Sequence, residues 1–276
     1  MKARVKNRLI YIIQIVFTAC FIVLNTSCGL DEYYVLAEPS SVHVPVYSST
    51  NPISYTERYF EFTTNENTDY DGSSFTYQGT EVYYKIYSNL STCETEYKAL
   101  NTMANTTSTK ANAASSLINS YKFQRMKNWD PVNKRIIDSD VLIPHSSDKR
   151  VRNVKIRLTK YNSSENNDDF GSAVEQPYLV PFIAVENQKI GIPVRYYGGK
   201  RFDFARNDSA KNFTANVPRT TSYEDDVSST TSITKSNLWY ITLYAVGQGY
   251  DATFTSYYSN ICHLGTLAID ASSYDN

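Results

Sequence analysis

The run Asn67-Thr68-Asp69-Tyr70-Asp71-Gly72 alternates oxygen-bearing side chains ahead of a glycine, the opening pattern of a calcium-binding loop. Such a loop needs a bidentate acid at its twelfth place, which here is Gln78, and no exiting helix is predicted. The segment therefore reads as a polar turn between strands, with Asp69 and Asp71 as candidates for a weak, irregular cation site. Gly247-Gln248-Gly249-Tyr250-Asp251-Ala252 comes after a predicted strand and formally fits a dinucleotide-binding glycine pattern. That chemistry requires a helix next, but residues 253–258 read as a strand, so the glycines are expected to form a hairpin turn. His43, His145 and His263 are far apart in sequence, and neither a Gly-x-Ser-x-Gly elbow nor a His-Glu-x-x-His helix accompanies them. A triad could only assemble in space; the expectation is no catalytic residue, no enzyme and no cofactor. The tyrosine pairs are the positive hint. In a strand, one member of Tyr83-Tyr84, Tyr196-Tyr197 and Tyr257-Tyr258 must face away from the core, which makes Tyr84, Tyr196, Tyr197 and Tyr257 candidates for holding a protein or a glycan.

A different chemistry is written at the start of the chain. Lys2, Arg4, Lys6 and Arg8 precede an apolar run over residues 9–24 broken only by Gln14 and Thr18, which is the pattern of a secretory signal and implies an N-terminal signal helix. Polar Asn25-Thr26-Ser27 comes directly after it, without the basic cluster that would retain a transmembrane helix. Leu24-Asn25-Thr26-Ser27-Cys28-Gly29 resembles the lipobox of bacterial lipoproteins, and its relaxed form, with Asn25 in place of an aliphatic residue, is similar to spirochaete boxes. The resemblance implies that Cys28 carries the lipid, that residues 1–27 are removed and that residues 28–38 are a tether. Cys20 is the rival position, but processing there would leave Phe21-Ile22-Val23-Leu24 as an exposed apolar terminus. One acyl chain holds a protein only marginally, at ~0.8 kcal/mol per buried methylene, whereas two or three anchor it durably. The implied location is the bacterial cell envelope, at the outer membrane.

Loss of residues 1–27 removes four basic residues and no acid, so 27 Lys and Arg fall to 23 against 28 Asp and Glu, a net charge of −5. That balance excludes the basic face of a nucleic-acid binder. The whole chain contains 24 Tyr and 12 Phe with many Thr, Ser and Val, a composition that favours strands. Residues 42–47, 58–63, 75–77, 81–87, 136–142, 154–158, 178–185, 190–197, 200–204, 238–246, 253–258 and 263–269 are predicted strands. Phe60 and Phe62 point to one side of theirs. Pro177, Pro181 and Pro193 direct their segments to edges or bulges. Residues 162–169 and 208–234 are long polar connections, offered as further surfaces for a macromolecular partner.

Helical periodicity appears in one region only. Ser91 and Glu94 have capping-box spacing, and Cys93, Tyr97, Leu100 and Ala104 recur on one face. A second helix is predicted over residues 109–122, with Ala111, Ala114, Leu117, Ile118 and Tyr121 inward. Neither is apolar all round, so both are expected against the side of a sheet.

Val82-Tyr83-Tyr84-Lys85-Ile86-Tyr87 is similar to the third strand of a fibronectin type III sandwich. The run 239–246 is similar to the sixth strand of that fold, and Leu264-Gly265-Thr266-Leu267-Ala268-Ile269 to the seventh. The resemblance implies a mainly β, elaborated immunoglobulin-like sandwich over residues 39–276, with a two-helix insertion at about 91–122. Two sandwiches split near residue 150 are the alternative. Alternation places Trp239, Ile241, Leu243 and Ala245 inward. The family's second-strand Trp is absent, and about 150 residues separate the third strand from the sixth, against ~90 to 100 for an ordinary sandwich. In this topology Cys93 and Cys262 lie at different ends of their strands. A bridge, which needs alpha carbons within about 7 Å, requires the insert to fold back; otherwise the two thiols are separately buried.

Overall fold

A computed structural model describes residues 34–45, 57–66, 75–137, 139, 141–148, 151–158, 181–197, 200–202, 204, 227–228 and 238–270. Cys28, Asp69 and Asp71 lie outside these residues, as do the connection 162–169 and nearly all of 208–234. The strands are β1 (Ser40–His43), β2 (Phe60–Thr63), β3 (Phe75–Tyr87), β4 (Gln124–Arg125), β5 (Lys127–Asp130), β6 (Arg135–Ile137), β7 (Ile143–Pro144) and β8 (Asn153–Arg157). They continue with β9 (Phe182–Val185), β10 (Gln188–Tyr197), β11 (Lys200–Phe202), β12 (Val227–Ser228), β13 (Leu238–Asp251), β14 (Ser256–Tyr258) and β15 (Cys262–Asp270). Between β3 and β4 stand the helix α1 (Leu90–Asn105) and a short helical stretch over residues 110–120.

The architecture is mainly β, in two sheets. One has the order β1-β2-β8-β9-β10-β5-β6, with β11 added to β10. The other has the order β12-β3-β13-β14, with β15 on the same strand β13 and the short β4 and β7 on β3. Its backbone is the long antiparallel ladder of β3 and β13, running from Tyr87 opposite Tyr240 to Phe75 opposite Asp251. Segments remote in sequence therefore form one sheet.

Strand alternation decides what fills the space between the sheets. Phe60, Phe62, Val154, Ile156 and Ile183 of the first sheet meet Val82, Tyr84, Ile86, Ile241, Leu243 and Ala245 of the second in one buried apolar cluster, an arrangement consistent with a β-sandwich. Trp239, Ile241, Leu243 and Ala245 all face this core as alternation requires. The opposite face of the second sheet is also covered. Tyr83, Tyr87, Tyr240, Tyr244 and Val246 pack under Cys93, Leu100 and Ala104 of α1 and Ala113, Ala114 and Leu117 of the helical stretch after it.

That second layer corrects the expectation for Tyr84. Its ring is 1% exposed and packs edge-on to Phe204 at 4.8 Å, in the sandwich core. Its neighbour Tyr83, on the other face, is buried beneath the helices. From residue 79 onward β3 has helices on one side and a sheet on the other, so neither face there meets solvent and the tyrosine pair exposes neither member.

Three local features also differ from their sequence reading. The cap of α1 is Asn89, two residues before Ser91: its side-chain oxygen accepts from the amides of Ser91 and Thr92 at 2.8 and 3.3 Å. The second helical stretch is broken into a 3-10 turn, one α turn and a π turn over Ser116–Ser120, and Ala111 on it is exposed. Gly247 and Gly249 lie within β13 rather than in the turn beyond it. Aromatic rings cross the strand there, and a Cβ on Gly249 would stand 2.3 Å from Phe75 Cζ. Pro193 lies just past a bulge in β10, where the ladder to β9 has ended and that to β5 has begun.

Candidate functional site

The three histidines keep separate partners. His43 stacks on Tyr59 at 4.0 Å, with Nδ1 hydrogen-bonded to the Tyr59 carbonyl at 2.9 Å and Nε2 to Glu57 at 3.1 Å. His145 Nδ1 lies 2.6 Å from Glu66, a buried carboxylate that also receives Arg152 Nη2 at 2.5 Å and the Ser146 amide at 3.1 Å. His263 sits beneath α1 between the rings of Tyr97 and Tyr244, at 4.5 and 5.0 Å. Burial there pushes its pKa down to about 4, so it is neutral at pH 7. Glu66 and His145 form a carboxylate–imidazole pair, and the Ser147 hydroxyl two residues on is hydrogen-bonded to Asp148 rather than to the imidazole.

Other ionic groups fasten strands to the helical layer. Lys85 Nζ donates to Glu96 at 2.7 Å and to the Tyr121 carbonyl at 2.8 Å, closing an orphan acceptor at the end of the π turn. The Tyr87 hydroxyl donates to the same Glu96 at 2.8 Å. Glu81 is fully buried beside Arg125. Desolvation outweighs that cation and raises the carboxyl pKa to about 7.

Tyr196 is 44% exposed, and it belongs to a surface built from strands far apart in sequence. β10 pairs with β5 through residues 192–194 and with β11 through residues 195–197, which sets Tyr196 directly opposite Arg201. Directly opposed residues share a face. The Arg201 guanidinium lies 4.2 Å from the Trp129 ring centroid, close enough for cation–π attraction. Tyr196, Arg201 and Trp129 thus make an aromatic and cationic platform from three strands. Tyr197 contributes its backbone to the same ladder. Lys-Asn-Trp-Asp over residues 127–130 has no apolar alternation, so nothing local marks Trp129 as a strand residue or as part of a surface.

Tyr257 is partly buried and holds structure rather than presenting itself. Its hydroxyl donates to Asp251 Oδ2 at 3.1 Å and its ring packs edge-on to Phe75 at 5.9 Å. Asp251 Oδ1 accepts from Thr253 Oγ1 at 2.7 Å and from the amides of Thr253 and Thr255 at 2.8 and 3.0 Å. The Thr253 hydroxyl bond leads the effects that lower this carboxyl's pKa below its ordinary value. The network organises the turn between β13 and β14 and leaves Phe254 at its tip with φ +62° and 79% exposed, stacked on Tyr250 at 5.5 Å.

Cys93 and Cys262 are free thiols. Cys93 packs in the helical layer with Sγ 3.1 Å from Thr242 Oγ1, while Cys262 packs against the sandwich core, so the sheet itself stands between them. Among the described residues, no group of three or more His, Cys, Asp or Glu could hold a metal ion, and no helix is long and apolar enough to cross a membrane. No protein-family model, curated protein or solved structure matches the chain.

Proposed function

We propose that this is a lipid-anchored protein of the bacterial cell envelope, noncatalytic, whose elaborated sandwich holds a macromolecular partner. The lipobox-like run ending at Cys28 supports the anchor. The neighbour order β3-β13-β15 supports a fibronectin type III-like topology, because that fold sets its third, sixth and seventh strands side by side. The observation that carries the binding role is the platform of Tyr196, Arg201 and Trp129. Its three side chains combine contact area, a hydroxyl and a cation at modest entropic cost, which is the chemistry of contact hot spots.

Replacing Cys28 with Ser tests the anchor: the variant is expected to lose acylation and leave the membrane fraction. A C28S protein still acylated and membrane-bound sinks the reading. Protease treatment of intact and permeabilised cells then tells which side of the envelope the partner occupies.

A second reading, carbohydrate recognition, draws on the same platform, since an exposed Tyr beside a Trp-stacked Arg suits a sugar face and its hydroxyls. Thermal stabilisation by oligosaccharides, abolished by Tyr196→Ala, would favour it over a protein partner.

A further inference from the structure

The turn between β13 and β14 displays the most exposed large apolar side chain among the described residues. Phe254 occupies a left-handed backbone position that costs a non-glycine residue energy, yet among those residues its ring meets no aromatic partner but Tyr250. Four hydrogen bonds to the Asp251 carboxylate hold that geometry. A preorganised turn that aims a phenylalanine into water is built to meet something apolar. Charge narrows the choice: residues 246–260 contain no Lys or Arg and a single acid, Asp251, whose oxygens face the turn's own donors. The tip therefore suits an uncharged or zwitterionic surface.

The path of the chain identifies that surface. Leu36 is buried, the Ala37 carbonyl oxygen comes within 3.4 Å of where a Cβ on Gly247 would stand, and Glu38 accepts from Asn260 Nδ2 at 2.6 Å. Gly247 and Asn260 are the base of this hairpin. Its tip begins at Asp251, about 13 Å further along β13 at ~3.3 Å per residue. The chain thus joins the domain beside the hairpin, and Cys28 is eight residues before Leu36, a reach of about 28 Å when fully extended.

We infer that the β13–β14 tip is a second membrane contact, in which Phe254 and the Tyr250 ring behind it enter the interface of the same bilayer that holds the lipid. The inference rests on acylation at Cys28. Aromatic rings prefer the headgroup level of a bilayer, and one such tip adds orientation to an anchor that the acyl chains already make durable. The contact gives the anchored domain a defined pose on the bilayer.

The test uses the full acylated protein carrying Phe254→Trp, bound to phosphatidylcholine vesicles with spin-labelled lipids, with the unsubstituted protein giving the background of Trp129 and Trp239. The expected result is an added emission that shifts to shorter wavelength on the vesicle and is quenched by labels near the headgroups. An acylated protein that floats with vesicles while the introduced indole keeps its aqueous spectrum overturns the inference and leaves the anchor standing. Failure to float overturns both. A spectrum that ignores vesicles but shifts with cell-wall glycan or a purified protein also overturns it, and assigns the tip to that partner.

Discussion

The two faces of β13 are both buried, yet they solve burial in opposite ways. Ile241, Leu243 and Ala245 look into a sandwich core of aliphatic and aromatic groups, where little besides shape must be matched. Tyr240, Thr242, Tyr244 and, across the ladder, His263 look into the helical layer, where hydroxyls, a thiol, an imidazole and the Lys85–Glu96 pair are enclosed together. Burial of polar groups is costly unless partners reach them. The helices supply many of those partners: Cys93 meets Thr242, and Glu96 meets Lys85 and Tyr87. One face is held by close packing, the other by hydrogen bonds that a change of charge can disturb.

Substitutions can break this contrast, beginning with the largest effect. Ile241→Ala should lower unfolding free energy by about 3–4 kcal/mol, because the dry core cannot refill the lost volume, as measured by urea denaturation. The helical layer should respond instead to pH. His263, with its pKa pushed down to about 4 from 6.5, binds fewer protons folded than unfolded between those values. Stability is therefore expected to fall as pH drops from 6.5 to 4, by at most about 3 kcal/mol from this group, and to be insensitive to it above 6.5. Glu81 runs the other way: with its pKa raised to about 7, it favours the fold more strongly as pH falls from 7 toward 4.5. His263→Phe should leave that opposite slope exposed, and comparing both proteins at pH 7 and 4.5 checks it.

Smaller effects sharpen the same distinction. Lys85→Met keeps the packing stem but leaves Glu96 without its cation, which should cost about 2 kcal/mol and be seen first as faster amide exchange in α1. Tyr244→Phe should change stability by less than about 0.5 kcal/mol or raise it, because the buried hydroxyl it removes has no partner among the described residues. A loss of about 2 kcal/mol there would mean that the helical layer depends on a bond to that hydroxyl.

Much of the frame is legible residue by residue. The pairing of Phe60 with Phe62, the inward set on β13 and the Cys93, Leu100 and Ala104 face of α1 all come from period 2 or 3.6, and the structure has each as expected. Tyr84 departs from its expectation because alternation says which residues share a face, not what covers it. Ser91 and Asn89 can both cap by side-chain type, and only the extended backbone at Asn89 decides between them. The surfaces proposed for contact are less legible. Tyr196 carries a signal of its own, whereas Trp129 and Arg201 become its neighbours through strands far apart in sequence. Phe254 is one more apolar residue in a predicted strand until Asp251 closes the turn beneath it.

The sequence by itself determined the strand-rich composition, the alternation of the core strands, the helical region between β3 and β4 and the run ending at Cys28 on which the proposed anchor rests. These depend on bond geometry and on side chains within a few positions of one another, which every stretch of chain carries with it. Tertiary structure alone decided that β3 is covered on both faces around Tyr83 and Tyr84, that Cys93 and Cys262 lie on opposite sides of a sheet, and that the aromatic tip stands on the hairpin where residues 36–38 join the domain. Those facts depend on contacts between residues tens to hundreds of positions apart, whose pairing is selected by the burial of whole faces and is not encoded in any local period.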